Sequence, residues 1–148
     1  MSALTNSAEL ALLNLILNNT TWAGIGDATG LVGSTADGNL YVALFTADPG
    51  ETGAVTNEAT YTGYARKSIT RDGTGWDTDG GNGLDNAAAI TFNPCTGGSN
   101  TITHFALCKA GTASVQDLII YGALSASLAV SSGITPEFAA GALDVTAD

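Results

Sequence analysis

Positive charge is what this chain has least of. Four Lys and Arg stand against fourteen Asp and Glu, a formal net charge of −10. Phosphate binding needs clustered cations, so the balance excludes nucleic acid as a partner. It also speaks against docking to an anionic membrane surface. Charge of either sign is sparse, at 12 % of residues. The first basic residue is Arg66, so the apolar run at residues 10–17 lacks the positive n-region of a signal peptide. That run is also shorter than the ~20 residues that cross a bilayer. These absences predict a soluble protein made in a cytoplasm.

Histidine and cysteine are nearly missing too. The single His104 offers no zinc constellation, and neither Cys95 nor Cys108 sits in a Cys-x-x-Cys pair. In a reducing compartment, two buried free thiols are expected over a disulfide. If Gly97-Gly98 turns a hairpin, Cys95 falls near Ile102 and away from Cys108, which points the same way. No Gly-x-Ser-x-Gly elbow, P-loop or dinucleotide fingerprint occurs. The carboxylates Asp48, Glu51 and Glu58 belong to a polar loop, where nothing would drive two pKa values apart for acid/base work. The chain is therefore read as a non-enzyme, with no cofactor and no metal.

What remains is apolar and β-rich. At 148 residues and 45 % hydrophobic, the chain is long enough for a sizeable core, and a single domain is expected over 1–148. Asn6-Ser7-Ala8-Glu9 has the spacing of a capping box with Asn6 as the cap, opening a helix that ends near Asn18. The helical segment is set at residues 1–20. Leu10, Leu13 and Leu17 share one helix face, and Leu12 and Ile16 lie on an adjacent one. Such a helix is either buried within its own fold or covered on its second face by a neighbouring subunit. Residues 24–38 form a Gly-, Ser- and Thr-rich loop. From residue 39 onward the signals are β: 39–47, 61–71, 87–93, 100–109, 117–124, 127–130 and 138–146 are short segments between turn-formers. With no helix between them, they predict an antiparallel β-sandwich or barrel, jelly-roll-like, over 39–148 with one N-terminal α-helix.

Two stretches invite a chemical reading. Thr46-Ala47-Asp48-Pro49-Gly50-Glu51 suits a type I or II turn, since Pro sets φ and Gly accepts positive φ. Residues 72–86 resemble a calcium loop twice over. Asp77-x-Asp79 begins like an EF-hand, but Gly81 and Ala88 stand at its fifth and twelfth positions. Gly80-Gly81-Asn82-Gly83-Leu84-Asp85 is one copy of a nonapeptide that binds calcium only by stacking many. The stretch is therefore taken as a long acidic turn pinned by Trp76. Arg66, Lys67 and Arg71 fall on one predicted strand, either as solvated edge charge or as contacts to an acidic patch on a neighbouring copy.

Several blocks resemble a small family of tailed-bacteriophage structural proteins. They are Ala-Glu-Leu-Ala-Leu-Leu-Asn-Leu-Ile-Leu-Asn-Asn-Thr at 8–20, Leu-Tyr-Val-Ala-Leu-Phe-Thr-Ala-Asp-Pro-Gly-Glu at 40–51 and Asn-Glu-Ala-Thr-Tyr-Thr-Gly-Tyr-Ala-Arg at 57–66, followed by Ala-Ala-Ala-Ile-Thr-Phe at 87–92 and the Ser- and Ala-rich block at 122–136. The likeness covers almost the whole chain. It implies a virion structural protein, most like a capsid decoration (cement) protein on the outside of the major capsid protein lattice. The alternative is a tail fibre or tail-tip subunit, with a host-carbohydrate role. The implied location is the virion, the head surface before the tail, after synthesis in the bacterial host. The implied partners are further copies of the chain, as a trimer, and the major capsid or tail proteins. The expected interface residues are Leu10, Leu12, Leu13, Ile16 and Leu17 on the helix, Arg66, Lys67 and Arg71, and Asp48 and Glu51 at the loop.

Overall fold

A computed structural model describes residues 3–26, 29–114 and 117–147. The fold class is the expected one: mainly antiparallel β with a single N-terminal helix, its sheets open and sandwich-like instead of closed into a barrel. The chain divides into two compact units. One holds residues 1–39, 70–90 and 138–148; the other holds 40–69 and 91–137. Residues 27 and 28 of the loop expected at 24–38 lie outside the described residues.

In the first unit, α1 spans Asn6–Leu17. Its N-cap is Thr5, one residue before the predicted Asn6, and the Thr5 side chain accepts from the Ala8 N–H at 3.4 Å. That shift puts Ala8, not Glu9, at the third helical position, so the capping box does not form. Leu13 and Leu17 are fully buried, while Leu10, Leu12 and Ile16 are half-buried. The helix lies against β4 (Leu84–Asn86), and burying each of the two leucines is worth ~1.5–3 kcal/mol. The all-round apolar helix is thus at least partly covered inside its own unit.

The 72–86 stretch is where expectation and structure part. It is a hairpin, not an irregular turn: β3 (Trp76–Thr78) pairs with β4, and β9 (Asp144–Val145) adds on β4's other side. Its strands are three and two residues long, too short to show alternation in the sequence. Trp76 is fully buried and pins the hairpin as expected. Asn86, also buried, holds the C-terminal segment. Its amide donates to the Ala88 and Ala139 carbonyls at 2.8 Å each, and its Oδ1 accepts from the Leu143 N–H at 2.7 Å.

The second unit is built on a four-stranded sheet in the order β2-β1-β6-β7. Here β1 is Asn39–Phe45, β2 Lys67–Thr70, β6 Ser99–Cys108 and β7 Leu118–Ser131. The register runs Tyr41 opposite Cys108 to Phe45 opposite His104. Strands β1 and β6 are central, which is why their apolar residues run together instead of alternating: both faces are covered. Ala43, Phe45, Ala106 and Cys108 form a core cluster with Tyr41 and Leu118 against it. The segments expected at 117–124 and 127–130 are one strand, β7, whose pairing with β6 shifts register twice, between Ile102 and His104 and between Leu107 and Cys108. The strand expected at 61–71 shrinks to four residues, so Arg66 and Arg71 flank it instead of lying on it. Short β5 (Ile90–Thr91) and β8 (Glu137–Phe138) form a two-stranded ladder. Cys95 and Cys108 are free and buried. Gly97-Gly98 does not close the expected hairpin; the Cys95 N–H bonds the Ile134 carbonyl at 2.8 Å. Among the described residues, no helix is long and apolar enough to cross a membrane.

Candidate functional site

Asp48-Pro49-Gly50 is a corner, as its residue types predict. The Asp48 carboxylate accepts the Gly50 N–H at 2.8 Å, and Gly50 holds φ +64°, where a side chain would be strained. Pro49 is buried, whereas Asp48 and Glu51 are exposed.

Glu58, read from sequence as a solvated loop acid, proves to be part of a buried ion cluster. The Arg66 guanidinium donates to both Glu58 oxygens, at 2.8 Å from Nε and 2.9 Å from Nη2. Its Nη1 donates to the Ala110 carbonyl at 2.8 Å and to the Asp117 carboxylate. The side chains of Arg66, Glu58 and Asp117 are 1 %, 9 % and 2 % exposed. The second Asp117 oxygen accepts the Ala110 N–H at 2.9 Å, while Tyr64 donates its hydroxyl to Glu58 at 2.9 Å and accepts the Leu44 N–H at 3.1 Å. Burial alone would lower the Arg66 pKa; the hydrogen bonds it donates to Glu58 and Asp117 prevail and raise it. Burial raises the Tyr64 hydroxyl, opposed by the Leu44 N–H and reinforced by Glu58. It also pushes the nearby Cys108 thiol up to about 12. The cluster is closed off by its own neighbours. Such a cluster locks chain segments together; it offers no open position to a substrate.

The other two candidate cations are also engaged within the chain. Lys67 donates to the Asn93 side chain at 2.7 Å. Arg71 reaches the end of α1, where Nε donates to the Ile16 carbonyl at 2.7 Å and Nη2 to the Leu15 carbonyl at 2.9 Å. The last helical carbonyls have no partner inside a helix, and a cation there also meets the negative end of its dipole. The residues singled out from sequence are therefore not one site. Leu13, Leu17 and Arg71 come together at α1, Arg66 belongs to the cluster with Glu58 and Asp117, and Asp48 and Glu51 sit on an exposed turn. Sequence reasoning missed Glu58 and Asp117 because their partner lies 8 and 51 residues away, and no local pattern links them.

The hairpin carries a row of like charges. Asp77 stands opposite Asp85, and Asp85 opposite Asp144, on the three strands of one sheet. Nearby, the Asp79 Oδ1 accepts the Gly81 N–H at 2.6 Å, closing the turn from within. Among the described residues, no group of three or more His, Cys, Asp or Glu could hold a metal ion.

The chain belongs to the Gp80 family, described as podophage GP4 fiber I protein gp80, whose model matches residues 3–146. It is a component of a tailed-phage virion. No curated protein matches the chain.

Proposed function

We propose that the chain is a non-catalytic fibre subunit of a podophage particle, seated at the tail and contacting other tail proteins. The family match across residues 3–146, with its fibre description, carries this reading. The structure supports the absence of catalysis through the state of its titratable groups. Glu58 and Asp117 are bound to Arg66, and the His104 ring is hydrogen-bonded to the neighbouring Thr103 hydroxyl at 2.9 Å. A second reading is a decoration protein on the head, favoured by the net charge of −10 and by a sequence without any fibrous repeat. Gold-labelled antibody against the chain, applied to intact particles, separates the two. Label at the tail is expected; label spread over the head establishes decoration instead. Replacing His104 by Gln is expected to leave assembly and infectivity intact, and a hydrolytic activity lost with that substitution would overturn the non-catalytic reading.

A further inference from the structure

Asn82-Gly83 is the one Asn-Gly pair in the chain. It lies in the turn 79–83 that joins β3 to β4. Asn82 is exposed, and among the described residues no hydrogen bond holds its side-chain amide. The asparagines that follow it are all engaged. Asn86 holds the C-terminal segment, Asn93 bonds Lys67 and the Gly63 carbonyl, and Asn100 accepts the Thr60 and Tyr61 N–H groups. Gly80 holds φ +84° with open space around it, which leaves the turn room to move. Gly83, in contrast, is fixed by packing. A Cβ there would come within 2.6 Å of the Asp79 carboxylate and 2.8 Å of the Val145 carbonyl. The fold thus keeps at 83 the residue that shields its backbone nitrogen least. That nitrogen's N–H faces Asp79 Oδ1 at 3.3 Å.

We propose that Asn82 is a self-modifying site, at which the folded chain loses ammonia and gains a carboxylate with Asp79 as the base. The Gly83 nitrogen attacks Cγ of Asn82 and closes a cyclic imide. As that C–N bond forms, Asp79 takes the Gly83 N–H proton and passes it to the Asn82 amide nitrogen, which leaves as ammonia. Water then opens the ring at one of its two carbonyls. One opening leaves aspartate at position 82; the other leaves isoaspartate, whose main chain runs through the former side-chain carbon. Water is the sole co-reactant. Either product puts a new negative charge beside Asp79, on the turn of a sheet where Asp77, Asp85 and Asp144 already oppose one another. Like charges facing across a ladder destabilise it, and the isoaspartyl form also lengthens the turn, so conversion loosens the β3–β4 hairpin. This inference does not depend on where in the particle the subunit sits.

Peptide mapping of the purified full chain, aged in mildly alkaline buffer at physiological temperature, tests it. Cleavage after Arg71 and Lys109 isolates residues 72–109, and fragmentation locates the exchange of the amide nitrogen for oxygen. Asn82 is expected to convert before any other asparagine. Asp79→Ser keeps an oxygen for the Gly81 N–H but is a far weaker base, and is expected to slow conversion at least about tenfold. Its remaining rate should rise more steeply with pH, since hydroxide must then take the proton. Ageing should lower the Tm of the wild type and leave that of Asn82→Ser unchanged. No conversion at Asn82, or earlier conversion of another asparagine, would overturn the site. An Asp79→Ser rate and pH profile equal to wild type would overturn the part given to Asp79. If circular dichroism shows that Asp79→Ser does not fold, the wild-type profile decides, and a rate proportional to hydroxide overturns that part. An equal fall in Tm for wild type and Asn82→Ser would overturn the loosening of the hairpin.

Discussion

Replacing Arg66 by Met removes the one cation from a buried site that retains two carboxylates. Glu58 and Asp117 are then left at 9 % and 2 % exposure with no cation between them. The Ala110 carbonyl loses its donor as well. Breaking a buried ion pair from one side costs about 3–5 kcal/mol, because the remaining charge is neither solvated nor paired. With a urea m-value of about 2 kcal/mol per molar, a loss of 4 kcal/mol moves the unfolding midpoint down by about 2 M. Asp117→Asn is milder. It leaves the Arg66–Glu58 pair intact and preserves a carbonyl oxygen for the Ala110 N–H, so about 1–3 kcal/mol is expected, the worth of one charge-assisted hydrogen bond. The decisive variant combines Glu58→Gln, Arg66→Met and Asp117→Asn. With no charge left in the site, it should recover much of what Arg66→Met loses. Urea unfolding followed by tryptophan fluorescence and by circular dichroism measures all three. An Arg66→Met midpoint within ~1 kcal/mol of wild type, or a triple variant weaker than the single one, refutes the reasoning.

Arg71→Ala strips two donors from the end of α1 and should cost about 1–2 kcal/mol, with Arg71→Lys recovering only part because a single ammonium cannot span both carbonyls as the planar fork does; thermal melts read the difference. Asp85→Asn removes the central charge of the Asp77–Asp85–Asp144 row and should stabilise by about 0.2–1 kcal/mol at low ionic strength; the gain should shrink in 0.5 M salt, and a loss of stability would mean the row is held by something else. Burial raises the folded-state pKa of Cys108 to about 12, above the ordinary thiol value near 8.5. Its contribution is therefore complete below the ordinary value and is lost as pH rises towards 12. Melting temperatures between pH 8 and 11 should fall less steeply in Cys108→Ala, and the native thiol should resist modification until the chain unfolds.

How far the sequence could be read depended on how local the governing interaction was. Strand β1, with its continuous apolar run, and strand β6 were visible because burial on both faces leaves an uninterrupted signature. The Asp48-Pro49-Gly50 turn was visible because φ preferences act within three residues. The β3–β4 hairpin was not, because its strands are too short to establish a period and its Asp residues oppose one another across the ladder, contrary to cross-strand preference. Asp72 shows why that stretch reads as turn: its carboxylate accepts from the Thr74 hydroxyl and N–H and from the Thr70 hydroxyl, which lowers its pKa. The cap at Thr5 in place of Asn6 was a choice between neighbouring good caps, decided by where the chain enters the helix. Glu58, Asp117 and Asn86 were illegible for a different reason. A buried polar residue is recognised by its partners, and theirs are brought close only by the sheets.

The fate of the basic residues ties these observations to assembly. Arg66 is buried between two acids, Lys67 holds Asn93 and Arg71 caps α1. Three of the four cations thus stabilise the chain from within, leaving Lys109 as the exposed one. Their use as contacts to an acidic neighbour would require breaking these bonds first, at the cost worked out above for Arg66. Attraction between unlike charges is therefore a poor basis for joining copies of this chain. Any contact between copies would rest on apolar and backbone groups instead. Such contact weakens little as salt rises, whereas the repulsion that opposes it is screened. Any association of copies should accordingly strengthen between 0.05 M and 0.5 M salt. Dissociation over that range, followed by sedimentation, would show that an ion pair holds the copies together and that one of these cations is freed to make it.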